Sequence, residues 1–178
     1  MLQITIPAIE QYDEGSGFST SKEQVLQLEH SLVSLSKWES KWCKSFLSKN
    51  NKTTEETLDY IRCMTLTQNV SSNTYTLLTD TNIDEVGVYI NLPMTATKIS
   101  EDKQVINREI ITSEIIYYWM VTMNIPFECQ KWHLNRLLTL INVCNIKNKP
   151  QKKMSRKEIQ SRNASINAAR RQALNTNG

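Results

Sequence analysis

The chain has 178 residues, a net charge of +3 and a hydrophobic fraction of 39%, with only four glycines and four prolines. This length fits one domain plus an appendage, and the scarcity of chain-breaking residues favours helices over a tightly turned β fold. The longest apolar run is Ile115–Val121, far short of the roughly 18 residues that cross a membrane. The N-terminus also lacks the basic and apolar regions of a signal peptide. We therefore expect an intracellular chain that contacts no membrane.

The charge is distributed unevenly along the chain. Residues 147–178 contain nine Lys and Arg and one acid, a net charge of +8, whereas residues 1–146 contain 12 basic and 17 acidic residues, a net charge of −5. Such asymmetry is typical of a protein with an interaction tail. We predict an acidic, mostly helical body over 1–146 and a basic linker with a C-terminal helix over 147–178.

The beginning of the body carries a β pattern. Residues 2–6 alternate between apolar and polar side chains, which is the period of a half-buried strand, and Pro7 ends it. Residues 10–22 are polar and contain two glycines, which predicts a loop or a wide hairpin. Residues 25–29 fit either a strand that returns beside residues 2–6 or the entry to a helix, and we favour the strand. The sequence thus predicts a β-hairpin over about 1–29.

The next segment has the clearest helical pattern in the chain. Five apolar residues recur at spacings of three and four: Leu32, Leu35, Trp38, Trp42 and Phe46. This stripe predicts a helix that continues to the loop at 49–52. Thr53 and Glu56 have the spacing of a capping box, which predicts the start of a second helix. The Trp38/Trp42 face is a second candidate binding region, although paired aromatic residues at helical spacing more often belong to a core.

Three more helices are predicted in the body. Thr81 or Asn82 is expected to cap a short helix that ends at Asn91. Residues 107–124 are apolar on nearly all sides, which is typical of a fully buried helix. A further helix is expected over 127–145, after the break at Pro126.

The basic tail has its own helix signal. Ser155 and Glu158 form a second capping-box pattern, and a helix is predicted from Arg156 to about Leu174. Its apolar face is thin, and isolated helices of this length are marginal in water. We expect the tail helix to become ordered on a partner. The predicted fold class is mainly α (α+β): a helical body, a small N-terminal β-hairpin and a basic C-terminal helix.

The sequence offers little catalytic chemistry. It contains no Gly-rich phosphate-binding loop and no nucleophile elbow. Cys129 and His133 would share a helix face and could form half of a metal site or a nucleophilic pair, with His30 and Cys43 as remote ligands. Structural zinc sites use closely spaced pairs, and catalytic pairs need a third group to orient the base. We interpret these residues as structural and predict no enzyme activity, no metal and no cofactor.

The tail supplies the candidate binding residues. We predict four arginines as charge contacts and two isoleucines as apolar anchors: Arg156, Arg162, Arg170, Arg171, Ile159 and Ile166. Arginines fork onto acidic groups, and the small residues among them let another helix approach closely. The same charges could neutralise nucleic-acid phosphates. However, residues 147–178 contain no aromatic residue for base stacking, so a protein partner is favoured over nucleic acid.

Five segments of the chain resemble a family of small proteins from tailed bacteriophages of Gram-positive hosts. They are Leu28-Glu-His-Ser-Leu-Val-Ser-Leu-Ser-Lys-Trp-Glu-Ser-Lys-Trp-Cys43, Asp59-Tyr-Ile-Arg-Cys-Met64, Pro93-Met-Thr-Ala-Thr97, Ile111-Thr-Ser-Glu-Ile-Ile-Tyr-Tyr-Trp119 and Asn163-Ala-Ser-Ile-Asn-Ala-Ala-Arg-Arg171. The resemblance extends over residues 24–178. Family members that have a role resemble tail assembly proteins made near the tape-measure protein.

The resemblance implies a tail assembly chaperone in the host cytoplasm that binds the tape-measure protein or another tail protein without catalysis. Two alternatives remain open: a structural component of the virion tail or baseplate, and a nucleic-acid-binding regulator that uses the basic tail. Self-association is a further option for the partner.

Overall fold

The computed structural model describes residues 1–13, 17–21, 23–49, 51–99, 110–148 and 155–176, and of residues 9–13 and 17–21 it describes the backbone only. The fold is mainly α with a small β part, as predicted. The described residues form four strands, β1 (Leu2–Ile6), β2 (Ile9–Asp13), β3 (Gly17–Ser21) and β4 (Gln24–Leu28). Its α-helices are α1 (Leu32–Trp42), α2 (Thr54–Met64), α3 (Asp80–Asn91), α4 (Ser113–Thr122), α5 (Leu134–Asn148) and α6 (Arg156–Leu174).

The strands form two antiparallel pairs. β1 pairs with β4, so that Ile4 lies opposite Leu26, and β2 pairs with β3. Alternate residues of β1 and β4 point to the same side, and Ile4, Ile6, Leu26 and Leu28 are all buried. The predicted pairing of residues 2–6 with 25–29 is therefore confirmed. Of the loop and the wide hairpin predicted for 10–22, the described residues agree with the hairpin, since β2 pairs with β3, and residues 14–16 and 22 lie outside the described residues.

The chain segment after β4 joins the sheet to the helices through backbone hydrogen bonds. Glu29 N donates to Met64 O at 2.9 Å, and Leu134 N donates to His30 O at 2.7 Å. These bonds fix the end of α2 and the start of α5 beside the same segment. The hairpin is thereby bonded to the helical part of the body.

Helix α1 lies at the centre of the body and packs against α2, α4 and the 3-10 helix Phe127–Lys131. A capping box of Ser31 and Ser34 begins it. It ends at Trp42, because Cys43 takes a left-handed conformation with φ 51°. The predicted extension of this helix to the 49–52 loop is wrong. Phe46 is still buried, but it reaches the core from the following loop.

Local capping signals fix the next two helices. Thr53 and Glu56 form the predicted capping box of α2. Helix α3 is capped by Thr79, two or three residues before the predicted cap, because Asn82 serves as the third helical residue of another capping box. The prediction of Thr81 or Asn82 as the cap is therefore wrong by two or three positions, while the end at Asn91 is confirmed.

The last helices of the body are shorter than predicted. Helix α4 begins at Ser113, and the predicted residues 107–109 lie outside the described part of the chain. The segment predicted as one helix over 127–145 is divided into the 3-10 helix Phe127–Lys131 and helix α5. Trp132 is extended between them. Its backbone N–H bonds to the carbonyl of Cys129, which closes the 3-10 turn.

The chain divides into two compact units, Met1–Cys144 and Asn145–Gly178. The first unit holds the hydrophobic core, where Trp38, Leu35, Ile116 and Met120 are almost completely buried. The second unit contains α6, and the linker residues 149–154 lie outside the described residues.

Candidate functional site

The six predicted binding residues all lie on helix α6, and its bounds are the predicted ones. Ser155 Oγ accepts the Glu158 N–H at 3.2 Å, and Glu158 Oε2 accepts the Ser155 N–H at 2.7 Å. These bonds hold the pKa of the Glu158 carboxyl below its ordinary value. At the other end, Asn175 takes the left-handed conformation that terminates the helix. The tail helix is thus capped at both ends by its own sequence.

Every described residue of α6 is exposed. The two predicted anchors, Ile159 and Ile166, are 44% and 39% exposed. The helix carries five Lys and Arg and one Glu, a net charge of +4. A surface helix normally buries its apolar stripe. This helix instead presents both its isoleucines and its positive charge to solvent.

Helical geometry separates the predicted residues into two groups. With 100° per residue, Ile159, Arg162 and Ile166 share one face of α6, and Arg170 flanks that face. Arg156 lies at its edge, and Arg171 lies on the opposite side. The structure therefore brings four of the six predicted residues to one surface and leaves Arg171 away from it.

The two histidine candidates are buried in the core of the first unit. The rings of His30 and His133 contact edge to face with centroids 5.1 Å apart. His133 Nε2 donates to Tyr89 O at 3.1 Å, and His133 Nδ1 accepts the Asn135 N–H at 3.3 Å. Both ring nitrogens of a neutral His133 are therefore occupied, which leaves no lone pair for a metal ion.

His30 also makes contacts that are typical of a buried structural residue. His30 Nδ1 lies 2.5 Å from the Tyr60 hydroxyl. Burial, and then the nearby His133, lower the pKa of His30 to about 3. A histidine with this pKa is neutral at physiological pH and packs as a polar core residue.

Cys129 and Cys43 have different environments, since one is buried and the other is exposed. Cys129 is buried in the 3-10 helix, so it does not share an α-helical face with His133 as the spacing predicted. Cys43 is exposed at the end of α1. Among the described residues, no group of three or more His, Cys, Asp or Glu side chains is arranged to hold a metal ion.

The Trp38/Trp42 face packs inside the body. Trp38 is 1% exposed, and its indole N–H donates to Glu56 O at 2.8 Å. Its ring stacks on Trp42 and meets Phe46 edge to face. The indole N–H of Trp42 donates to Asp59 Oδ2 at 2.9 Å. Trp38 is therefore a core residue, and Trp42 forms the edge of the same aromatic cluster.

A surface cavity of about 420 Å³ opens beside this cluster, and two lysines line it. Lys44 Nζ donates to Glu56 Oε1 at 2.6 Å. Lys52 Nζ lies 4.4 Å from the centroid of the Phe46 ring. Both ammonium groups are thus engaged by the protein, in an ion pair and a cation–π contact.

One exposed apolar surface was not predicted. Tyr118 and Val121 on α4 are 64% and 58% exposed, and Phe127 after the helix is 55% exposed. The sequence predicted a fully buried helix, because apolar residues cover nearly all of its sides. The composition of α4 gives no signal of which side of the helix the rest of the body leaves exposed.

Comparisons with protein-family models, with curated proteins and with solved structures give no match for this chain. The resemblance to the phage proteins therefore depends on the five sequence segments alone. Within the described part of the chain, no helix is long and apolar enough to span a membrane.

Proposed function

We propose that this chain is a tail assembly chaperone of a tailed bacteriophage, which binds a helix of the tape-measure protein through α6 in the host cytoplasm. The observation that carries the proposal is the exposed, doubly capped α6 with its two solvent-facing isoleucines and net charge of +4. The family resemblance supplies the biological setting. In this role the protein performs no chemical reaction.

The form of α6 suits a reversible contact with another helix. The caps at both ends favour the helical form, so the tail loses less conformational entropy when it becomes ordered on a partner than an uncapped segment does. Its apolar stripe is narrow, so the contact gains less from burial than the broad interface of a permanent complex. An assembly chaperone must release its client, and a narrow, charged interface is consistent with release.

The test is a nuclease-treated pull-down from phage-infected cells. The baits are the full chain and a chain that ends at Asn148, which lacks α6. We expect the tape-measure protein with the full chain and its loss with the shorter one. Failure of the full chain to retain any tail protein would contradict the proposal.

Mass spectrometry of purified virions separates this role from that of a structural tail component. A chaperone leaves as the tail forms, so we expect the chain to be absent or far below stoichiometric amounts. A stoichiometric presence in the virion would favour the structural alternative.

A further inference from the structure

Four apolar residues of α6 follow a seven-residue repeat. Ile159, Ile166 and Ala173 are seven residues apart, and Ala169 lies between them three residues after Ile166. This is the spacing of the a and d positions that form the seam between two packed helices, and Arg162, three residues after Ile159, occupies the remaining d position of the same face. We call the four apolar residues the seam of α6. Alanine at two of the positions lets a partner backbone approach closely near the C-terminal end.

The two neighbouring arginines at the end of the helix face different directions. With 100° per residue, Arg170 lies about 55° from the centre of the seam and Arg171 about 155° from it. A partner helix along the seam therefore has Arg170 at its border, and Arg171 on the far side of α6. Only Arg170 of this pair can reach a carboxylate on that partner.

We infer that the partner of α6 is a single acidic amphipathic helix, packed along the seam with its carboxylates beside Arg170. Charge complementarity specifies the occupant, because α6 carries a net charge of +4 and the face along the seam combines four apolar residues with Arg162. A nucleic acid would instead use arginines on all sides of the helix, without regard to the isoleucines. The inference rests on the proposed function, since it specifies the chemistry of the client that α6 binds.

The test titrates the full-length protein against synthetic peptides. The first probe is a heptad-repeat peptide with Ile and Leu in its seam and Glu beside it, whose own glutamates disfavour self-pairing. The second has Lys in place of Glu, and the third probe is a random-sequence DNA duplex. We expect binding of the Glu peptide and at least about tenfold weaker binding of the Lys peptide, because lysines beside the arginines of α6 replace favourable charge pairs by like-charge contacts.

Two matched variants locate the contact. Arg170→Glu and Arg171→Glu change the same residue type, at the same end of the helix, with the same change in net charge. We expect Arg170→Glu to weaken binding of the Glu peptide about tenfold and Arg171→Glu to weaken it less than about threefold. A second pair tests the seam in the same way. Ile166→Ser changes a seam residue and should weaken binding of the Glu peptide more than Ala164→Ser, which lies on the opposite side of α6.

Three results would overturn the inference. They are failure of the wild-type protein to bind the Glu peptide, equal losses for the two arginine variants, and DNA binding that both variants weaken alike. The same variants used as baits in infected cells separate this inference from the proposed function. If both retain the tape-measure protein as the wild type does, the chaperone role stands and the seam geometry is wrong. If the wild type retains no tail protein, the role itself is wrong.

Discussion

His30 and His133 are buried beside each other in the body, and the protein must keep both rings neutral. The groups facing them are the Tyr60 hydroxyl, the Phe46 ring and the Tyr89 backbone, with the Glu29 carboxylate close to Tyr89. Burial lowers the pKa of both histidines, to about 3 for His30. The unfolded chain, with an ordinary histidine pKa near 6.5, therefore binds protons first as the pH falls.

We predict that acidification destabilises the body through this pair. Stability is complete above the unfolded pKa and is lost as the pH falls from about 6.5 towards 3, with His30 alone costing roughly 2 kcal/mol between pH 7.5 and 5. Urea unfolding across this range measures the slope. His30→Gln should flatten the loss between pH 6.5 and 5, where ordinary carboxylates do not yet titrate. An unchanged slope in that variant would contradict the assignment.

Glu39 is a second buried residue with a specific task. Its two carboxylate oxygens accept the Phe46 N–H at 2.9 Å and the Ser113 N–H at 2.7 Å. Ser113 is the first residue of α4, and the N-cap residue of α4, Thr112, makes no side-chain capping bond. Glu39 on α1 thus replaces the local cap of another helix and also holds the loop that carries Phe46.

We expect Glu39→Ala to reduce the free energy of unfolding by about 2–4 kcal/mol, because two buried backbone N–H groups lose their acceptors. Glu85→Ala is the matched control. It removes an exposed carboxylate from α3 and should change stability by less than about 0.5 kcal/mol. Chemical denaturation of both variants checks this, and equal effects would show that Glu39 is not a capping group.

At the scale of elements, α4 shows how far a pattern can predict packing. Met120 is completely buried, whereas its neighbour Val121 is 58% exposed. We predict that Met120→Ala lowers stability by about 2–4 kcal/mol and that Val121→Ala lowers it by less than about 1 kcal/mol. Thermal unfolding of the two variants compares the two sides of one helix. Similar losses would show that both sides of α4 are covered.

The end of α1 depends on the backbone of one residue. Cys43 is exposed and left-handed, a conformation that glycine adopts without strain. Cys43→Gly should therefore stabilise the protein by about 0.5 kcal/mol, and Cys43→Val should destabilise it by about 1–2 kcal/mol. Melting temperatures of the two variants give the signs. The order reversed would mean that α1 continues past this position in solution.

Elements with local determinants were predictable from the sequence. The capping boxes at Thr53 and Ser155 depend on residues three positions apart, so α2 and α6 begin where their sequences indicate. The end of α1 was missed because Phe46 keeps the helical spacing after the chain has turned at Cys43. The outer face of α4 was missed because burial depends on distant parts of the chain. The binding role of the six α6 residues stays a prediction. The sequence analysis named Arg170 and Arg171 together, and helical geometry places them on different sides of α6.

At the scale of the whole molecule, the uneven charge makes salt a probe of the partner. The basic segment 147–178 has a net charge of +8 and residues 1–146 have −5. Nucleic acid would contact many of the basic residues at once, and a protein with 6–10 phosphate contacts loses roughly 10³–10⁵ in affinity between 50 and 200 mM salt. An acidic helix along the seam would use few charge pairs, and part of its interface would be apolar. Salt would therefore lower its affinity only slightly.

We predict that affinity for the acidic heptad peptide falls by less than about tenfold over that same salt range. Titrations in the two salt concentrations measure it, with the DNA duplex as the comparison. Burial of the apolar seam contributes affinity that does not depend on salt. Ile166→Ser should therefore lower affinity at both salt concentrations by a similar factor. A thousandfold loss with salt for the peptide would mean that charge alone holds the partner. The isoleucines of α6 would then have no part in binding.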